Sequence, residues 1–412
     1  MSDLIPDGWS ISKIGDSCEI LDSKRIPLNS QERAKRIGFY PYYGANGVQG
    51  FIDDFIFEGE HVLLAEDGGN FDQWESRAIS YLVDGKFWVN NHAHILKAKN
   101  ENLTRFMHYS LVHKNIMKHI NGGTRAKLNQ SDMRDIQFLC PPLPEQQKIA
   151  AILTSVDEVI EKTQAQIDKL KDLKTGMMQT LLTQGVGIDG KPHTEFKDSP
   201  VGRIPKGWEV KSLADLASFV TSGSRGWAQY YSESGAIFIR IGNLTREHIN
   251  FRFKDIIYVT PPNSAEGKRT LVQTGDLLIS ITADLGVIAV VNDDIGEAYV
   301  NQHVSLVRLD DIKISRWVGH FLSFEESQKQ FTANNDSGAK AGLNLTAIRN
   351  TKVALPPVNE MKKIVKTLDS LDSSILIKRK KLAKINDTKK ALMQDLLTGK
   401  VRVNVSSEAT GH

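Results

Sequence analysis

Residues 123–183 repeat as residues 338–398 at a constant offset of 215, without a gap and with 22 identities in 61 positions. Leu128-Asn129 returns as Leu343-Asn344, Pro141-Pro142 as Pro356-Pro357, Glu145 as Glu360, and Leu181-Leu182-Thr183 as Leu396-Leu397-Thr398. Upstream the repeat is looser. Ile5-Pro6-Asp7-Gly8-Trp9 recurs as Ile204-Pro205-Lys206-Gly207-Trp208 at offset 199, and Val89-Asn90-Asn91-His92 as Val300-Asn301-Gln302-His303 at offset 211. The second copy therefore carries about 16 extra residues, all ahead of the shared tail. A chain duplicated this way must fold as two related units. The divergent fronts suit two different tasks, and the similar backs suit one shared task.

The back portion is a helix. Proline lacks an N–H and restricts its predecessor, so each Pro-Pro pair ends what precedes it. Apolar residues then follow a 4-3 spacing: Ile149, Leu153, Val156, Ile160, Thr163, Ile167, Leu170, Lys174, Met177, Leu181. The second series is Ile364, Leu368, Leu371, Ile375, Lys378, Leu382, Ile385, Lys389, Leu392, Leu396. Eight of ten positions are apolar in each, and the exceptions match. This is a coiled-coil seam along about 39 residues, on the order of 58 Å at 1.5 Å each. Only Gly176 interrupts it, and Gly185 and Gly399 stand where helix-stopping glycines belong. A pseudo-twofold antiparallel pair within the chain would bury both seams, with the polar seam residues helping to set register. The alternatives are a helix packed on its own front domain, or dimerisation.

The fronts read as mixed α/β segments. Short strands are expected at Phe55–Phe57, His61–Leu64, Ile237–Ile241 and Leu277–Ile281, and helices at Thr104–His119 and Ser315–Phe331. Two glycine-centred loops stand out. The first offers Tyr42, Tyr43 and Asn46, with Gln49 beyond; the second offers Ser222, Ser224, Arg225, Trp227, Tyr230 and Tyr231. Arg and Asn/Gln suit guanine and adenine edges, and aromatic rings can stack on an unpaired base. Arg240 and Asn243 on the next strand join this set. A third loop precedes each long helix, with Arg125 and Lys127 in one copy and Lys340 in the other, small residues plus a cation that suit a phosphate. Ordinary turns with packed aromatics are the plainer reading of all three.

Composition excludes several classes. With 412 residues, 40% hydrophobic and 25% charged, the chain is neither disordered nor a disulfide scaffold. Two distant cysteines, no basic-then-apolar leader and no run of roughly 18 apolar residues point to a cytoplasmic, non-membrane protein. Net charge is −2 for 1–142, −2 for 143–200, +1 for 201–357 and +6 for 358–412, the last including Lys378-Arg379-Lys380-Lys381. That run is a solvated face, a subunit contact or a phosphate-tracking stripe.

Catalytic motifs fail on inspection. Gly185–Lys191 resembles a phosphate loop, but Pro192 replaces the metal-binding hydroxyl and a helix precedes it. Asp198 with Glu209 and Lys211 has the loose spacing of a nuclease metal site, but Ser10 and Ser12 stand there in the first copy. His61, His92 and His94 could ligate zinc, yet the second copy keeps only His303 and has Ser305 for the other. No nucleophile elbow is present. No Asn/Asp-Pro-Pro-Tyr/Phe amino-methyltransferase motif is present either.

Pro141-Pro142-Leu143-Pro144-Glu145-Gln146-Gln147-Lys148-Ile149-Ala150 leading into a long helix, the two Ile-Pro-x-Gly-Trp openings, and Ser222-Gly223-Ser224-Arg225-Gly226-Trp227 together resemble the DNA specificity (S) subunits of type I restriction-modification systems. The second copy departs, reading Pro356-Pro357-Val358-Asn359-Glu360-Met361, so partner contacts there need not be equivalent. The resemblance implies an α+β fold: two globular mixed α/β target recognition domains, residues 1–142 and 201–357, separated by two long helices in an antiparallel coiled coil. One helix with its linker spans 143–200, the other with the tail 358–412. It implies a non-catalytic chain that reads a bipartite, asymmetric site on double-stranded DNA. Two modification subunits would bring S-adenosylmethionine and methylate a flipped adenine, and motor-nuclease subunits would bring ATP and magnesium. No cofactor is expected in this chain. Rival classes are a free-standing metal-dependent nuclease and a coiled-coil adaptor without a DNA role. Magnesium with plasmid tests the first, and anisotropy of labelled duplex with the methylase-bound complex tests the second.

Overall fold

The computed structural model describes residues 5–99, 102–122, 126–187, 190–292, 295–333 and 342–405. The chain divides into two compact units, residues 1–164 with 380–412 and residues 165–379. The division cuts both long helices near mid-length, away from the sequence boundaries at 142, 200 and 357.

The first unit holds a head of two four-stranded sheets. One is antiparallel, in the order Cys18–Ile20, Ala93–Ala98, His61–Ala65, Ser80–Val83. The other runs Gly47–Ile52, Ile37–Gly44, Lys86–Val89, Phe57–Glu58 and contains a parallel pairing, Tyr42 and Tyr43 beside Trp88 and Val89. His61–Ala65 is buried at every position, which is why it reads as a continuous apolar run rather than an alternation. Ser10–Lys13 pairs with Gln137–Cys140 and joins the start of the chain to the Pro-Pro pair.

The second unit repeats the plan. Its antiparallel sheet is ordered Ala217–Ser222, Val304–Leu309, Leu277–Ser280, Ile288–Val290. Its other sheet is ordered Tyr231–Ser232, Tyr258–Val259, Ala236–Ile239, Ala298–Val300, again with a parallel pair, Ile237–Ile239 beside Ala298–Val300. Glu209–Ser212 pairs with Lys352–Leu355 as Ser10–Lys13 pairs in the first unit. The architecture is α+β and duplicated.

Local expectations were partly too long. The helix from Thr104 stops at Leu111, because the Val112 carbonyl is taken by the Ile79 N–H; a short 3-10 turn at Met117–His119 follows. The helix from Ser315 breaks at Phe324, whose backbone is extended, into Ser315–Ser323 and Glu325–Ala333. The strand at Ile237 ends at Ile239, since Asn243 turns back to accept from the Arg240 N–H. At Phe55–Phe57 only Phe57 enters a strand.

The long helices span Leu143–Thr183, 41 residues, and Val358–Leu397, 40 residues. Pro144 lies in the first turn, where its missing N–H costs nothing. Gly176 is carried without a break. Gly185 (φ +67°) and Gly399 (φ +70°) end the helices in the left-handed region. Space demands glycine as well: a Cβ would lie 2.2 Å from Glu360 Oε1 at the first and 2.4 Å from Pro6 Cγ at the second.

Every seam position is buried or half-buried. In the first unit Asp157 meets Lys389 at 2.5 Å, and Glu145 meets Arg402, in the tail beyond the second helix, at 2.5 Å. In the second unit Gln166 accepts from Lys378 at 2.8 Å and Asp372 from Lys174 at 2.5 Å. Partner numbers fall as the first helix's numbers rise, so the helices run antiparallel within each unit. The 215-residue offset carries Asp157 to Asp372 and Lys174 to Lys389, so the two salt bridges are one interaction made twice.

Each helix also packs on a head. Ile149, Leu153, Met393 and Leu396 share a buried cluster with Val62, Leu64 and Phe106. Ile364, Leu368 and Leu182 share one with Leu277, Val307 and Trp317. Packing on a head and pairing with the other helix are thus both realised. Each such side chain, fully buried, contributes roughly 1.5–3 kcal/mol. Among the described residues no helix is long and apolar enough to cross a membrane.

Candidate nucleic-acid interface

The repeated Val-Asn-x-His motif builds the same turn in both heads. Asn90 Oδ1 accepts from the His92 N–H at 2.8 Å, and Asn301 Oδ1 from the His303 N–H at 3.1 Å. The two heads dress this turn differently.

In the first head, amides cover it. Asn46, at the tip of the hairpin Ile37–Ile52, donates to the Gly68 carbonyl at 2.9 Å and accepts from Asn70 at 3.1 Å. Asn90 donates to Gln49 Oε1 at 3.2 Å. Asn46 and Gln49 remain exposed. Tyr43 is half-buried, with its ring edge-on to Phe87. Tyr42 is 1% exposed, with its hydroxyl against the Leu28 backbone and Arg33 over its ring, so it holds the hairpin and cannot stack on a base. Lys127 is exposed beside Glu66 at 3.3 Å. Arg125 lies outside the described residues, as does Lys340 in the second repeat.

In the second head, Gly223 lets the Ser-Gly-Ser loop lie on the Asn301 turn, where a Cβ would come within 2.1 Å of the Asn301 carbonyl. Ser224 is fully buried and donates to Thr270, and Trp227 is stacked on Phe238 at 5.5 Å. Both are loop supports, contrary to the outward role expected of them. Arg225 and Tyr231 are exposed at the rim, with Ser222 and Tyr230 half-buried beside them. Asn243 is 3% exposed and Arg240 half-buried. Their hydrogen bonds go to the backbone of residues 252–255, so they position that loop rather than face outward as free readers. Sequence reasoning passed over Arg252-Phe253-Lys254 itself, an exposed aromatic between two cations. The signal was available in the basic-aromatic alternation from Phe251 to Lys254.

The rejected motifs take structural roles. His61 packs its ring against Phe57 and Phe87 and meets the Gly59 carbonyl. His94 lies between Asp22 at 2.6 Å and the Leu128 carbonyl at 2.9 Å. Burial would raise the Asp22 carboxyl, but His94, Gln130 and the Ile95 N–H hold it below the usual range. With Glu66 held by Arg25 and Lys127, the Asp22–Glu66–His94 cluster has its ligand atoms committed to protein partners. Glu209 and Lys211 form an exposed pair 3.6 Å apart. Arg379 of the basic run is clamped by Glu247, whose carboxyl it holds below the usual range, which makes it a structural cation.

At each helix start one carboxylate ties the repeat together. Trp9 Nε1 donates to Glu145 at 3.2 Å, and Trp208 Nε1 to Glu360 at 3.3 Å. Beside each start lies a groove of about 400 Å³. One is lined by Arg105, Gln147, Ala151, Thr154 and Glu158, the other by Lys313, Lys362, Lys366, Asp369 and Ser373. Six of the lining positions correspond at the 215 offset, from Gln147 with Lys362 to Glu158 with Ser373.

The family model for the type I restriction modification DNA specificity domain matches residues 6–172 and 205–387. The type I MjaVIII specificity subunit of Methanocaldococcus jannaschii is 26% identical over 97% of this chain and 94% of its own length. A putative type I specificity subunit of Haemophilus influenzae is 26% identical over 87% and 86%. The crystal structure of a type I S subunit from M. genitalium superposes with a TM-score of 0.66 at 16% identity, covering 96% of this chain and 97% of that one. Duplicated heads, a paired helical back and a match over both repeats agree, and the chain belongs to the family of type I restriction-modification DNA specificity subunits, which confer sequence specificity without catalysing the reaction.

Proposed function

We propose that each head reads one half of a split, asymmetric duplex site, and that the paired helices set the spacing between the halves. The observation that carries this is the same two-sheet frame built twice with different chemistry over one shared turn. Amides, Asn46 and Gln49, face outward in the first head; cations and aromatics, Arg225, Tyr231 and the 252–254 loop, face outward in the second. Amides favour adenine and guanidinium groups favour guanine, so the two half-sites differ in sequence.

The paired grooves at the helix starts are the seats of two modification subunits, because a groove written twice fits a partner present twice. Their linings differ, with Glu158 in one and Lys362 and Lys366 in the other, so the two contacts are related but unequal. S-adenosylmethionine, ATP and magnesium belong to the partner subunits, with motor-nuclease subunits completing a cytoplasmic complex. Long-read methylation mapping in a host carrying the system tests the reading. It should return one bipartite motif with two dissimilar halves; a single continuous or palindromic motif would contradict it.

A further inference from the structure

The second head ends one connection in a three-residue turn, Arg252-Phe253-Lys254, closed by the Lys254 N–H donating to the Arg252 carbonyl at 2.9 Å. Phe253 stands at the apex, 52% exposed, and both flanking cations are exposed. The i to i+2 bond makes this a γ-turn with Phe253 as its central residue. The loop is held from beneath. Asn243, buried, donates to the Lys254 carbonyl at 3.0 Å and accepts from the Arg240 N–H at 3.0 Å. The Arg252 N–H donates to the Asn243 carbonyl at 2.9 Å, and Arg240 Nη2 donates to the Asp255 carbonyl at 2.8 Å. Asp255 itself has φ +51°, a strained position for a residue with a side chain.

Several bonds and one strained residue thus hold the Phe253 ring with one side tilted against Phe251 at 6.2 Å and its outer half in water. Exposure of that ring stabilises nothing in the free chain. Beside it opens a cleft of about 320 Å³ lined by Arg240, Gly242, Lys254, Asp255, Asn301 and His303. Arg240 Nε is buried there and has no hydrogen-bond partner among the described residues.

We infer that Arg252-Phe253-Lys254 is the preorganised DNA-contacting fingertip of the second head. Arg252 and Lys254 neutralise backbone phosphates, while the Phe253 ring packs on a base of the half-site that this head reads. Arg240 and Asn243 are positioning residues that fix the turn. This rests on the proposed function, since it assigns one element of the surface through which the second head reads.

The test uses the full chain assembled with its modification subunits, binding labelled duplexes carrying the mapped site or a scrambled one, over a salt series. Phe253→Ala should weaken the mapped site roughly tenfold to hundredfold, leave scrambled DNA nearly unchanged and keep the salt slope. Phe253→Tyr, which retains the ring, should restore most of the loss. Arg252→Ala and Lys254→Ala should weaken both duplexes alike and each lower the slope by about 1. Asn243→Ala, which unties the turn and lowers the melting temperature somewhat, should lose preference in the second half-site alone, with first-half discrimination retained. Wild-type affinity and an unchanged motif in Phe253→Ala would overturn the inference. A wild-type complex that binds both duplexes equally would overturn the parent reading instead.

Discussion

Glu145 and Glu360 occupy the same turn of two related helices and are satisfied by different company. Both accept from a tryptophan indole of their own head. Beyond that, Glu145 is paired with Arg402 at 2.5 Å, at a partly exposed edge. Glu360 is fully buried and accepts from the Val186 N–H at 2.8 Å and from His193 at 2.9 Å. Gln146, one residue on, donates to the Pro141 carbonyl and accepts from the Leu103 N–H, where Met361 simply packs. The duplication has kept the requirement, a carboxylate tying opening strand, helix start and returning tail, while the donors diverged. Burial decides how much each tie is worth.

The largest asymmetry should follow from removing those carboxylates. Glu360→Ala strands the buried Trp208 indole and two half-buried donors, Val186 N–H and His193, and should cost about 2–4 kcal/mol. Glu145→Ala leaves Arg402 free to reach water and should cost about 1–3 kcal/mol. Hydrogen exchange separates the two units; equal losses would dissolve the comparison. Next comes the seam. Leu368→Ala, at a fully buried position, should cost about 2–5 kcal/mol, and Leu382→Ala, half-buried, clearly less by the same measurement.

Acid should also separate the heads. Burial, with Lys389 nearby, pushes His108 down to about 4, and its counterpart in the second copy is Gly319. A histidine with a lowered folded pKa is charged first in the unfolded chain. Its contribution is therefore complete above pH about 6.5 and is lost as pH falls toward 4, on the order of 1–3 kcal/mol. Exchange rates around Tyr109 should rise across that window, and His108→Gln should flatten the rise. An unchanged profile in that variant would assign the acid sensitivity to another group; the second unit has a buried, lowered histidine of its own at His320, beside Asp369, a position that matches Tyr109 rather than His108. Stability should be least affected at the rim, where Arg225→Ala should cost only DNA discrimination, about 1–3 kcal/mol, in one half-site. Equal weakening on unrelated DNA would make Arg225 a phosphate contact.

The duplication, the long helices, their glycine stops and the seam were legible because 4-3 periodicity and an ungapped offset are written in local order. The need to hide two seams called for some partner, but left open whether that was an antiparallel helix, the helix's own head or a second chain. Less legible was which polar residue faces outward. Tyr42, Trp227, Ser224 and Asn243 look like readers by type, yet tertiary packing spends them on loop support. Nothing local distinguishes them from Asn46 or Arg225, since burial is decided by the parallel strand pairs and the Asn-x-His turn beneath. Arg252-Phe253-Lys254 carries no glycine to mark a turn; its exposed turn is set by Asn243 and Arg240, nine and twelve positions earlier.

The helices as a spacer can be tested directly by matched seven-residue insertions after Ile167 and after Lys378, which preserve the seam phase. Each adds about 10 Å, roughly three base pairs at 3.4 Å. Methylation mapping of that variant should return both original half-sites with about three more unread base pairs between them. Altered half-sites across the original gap would contradict the account.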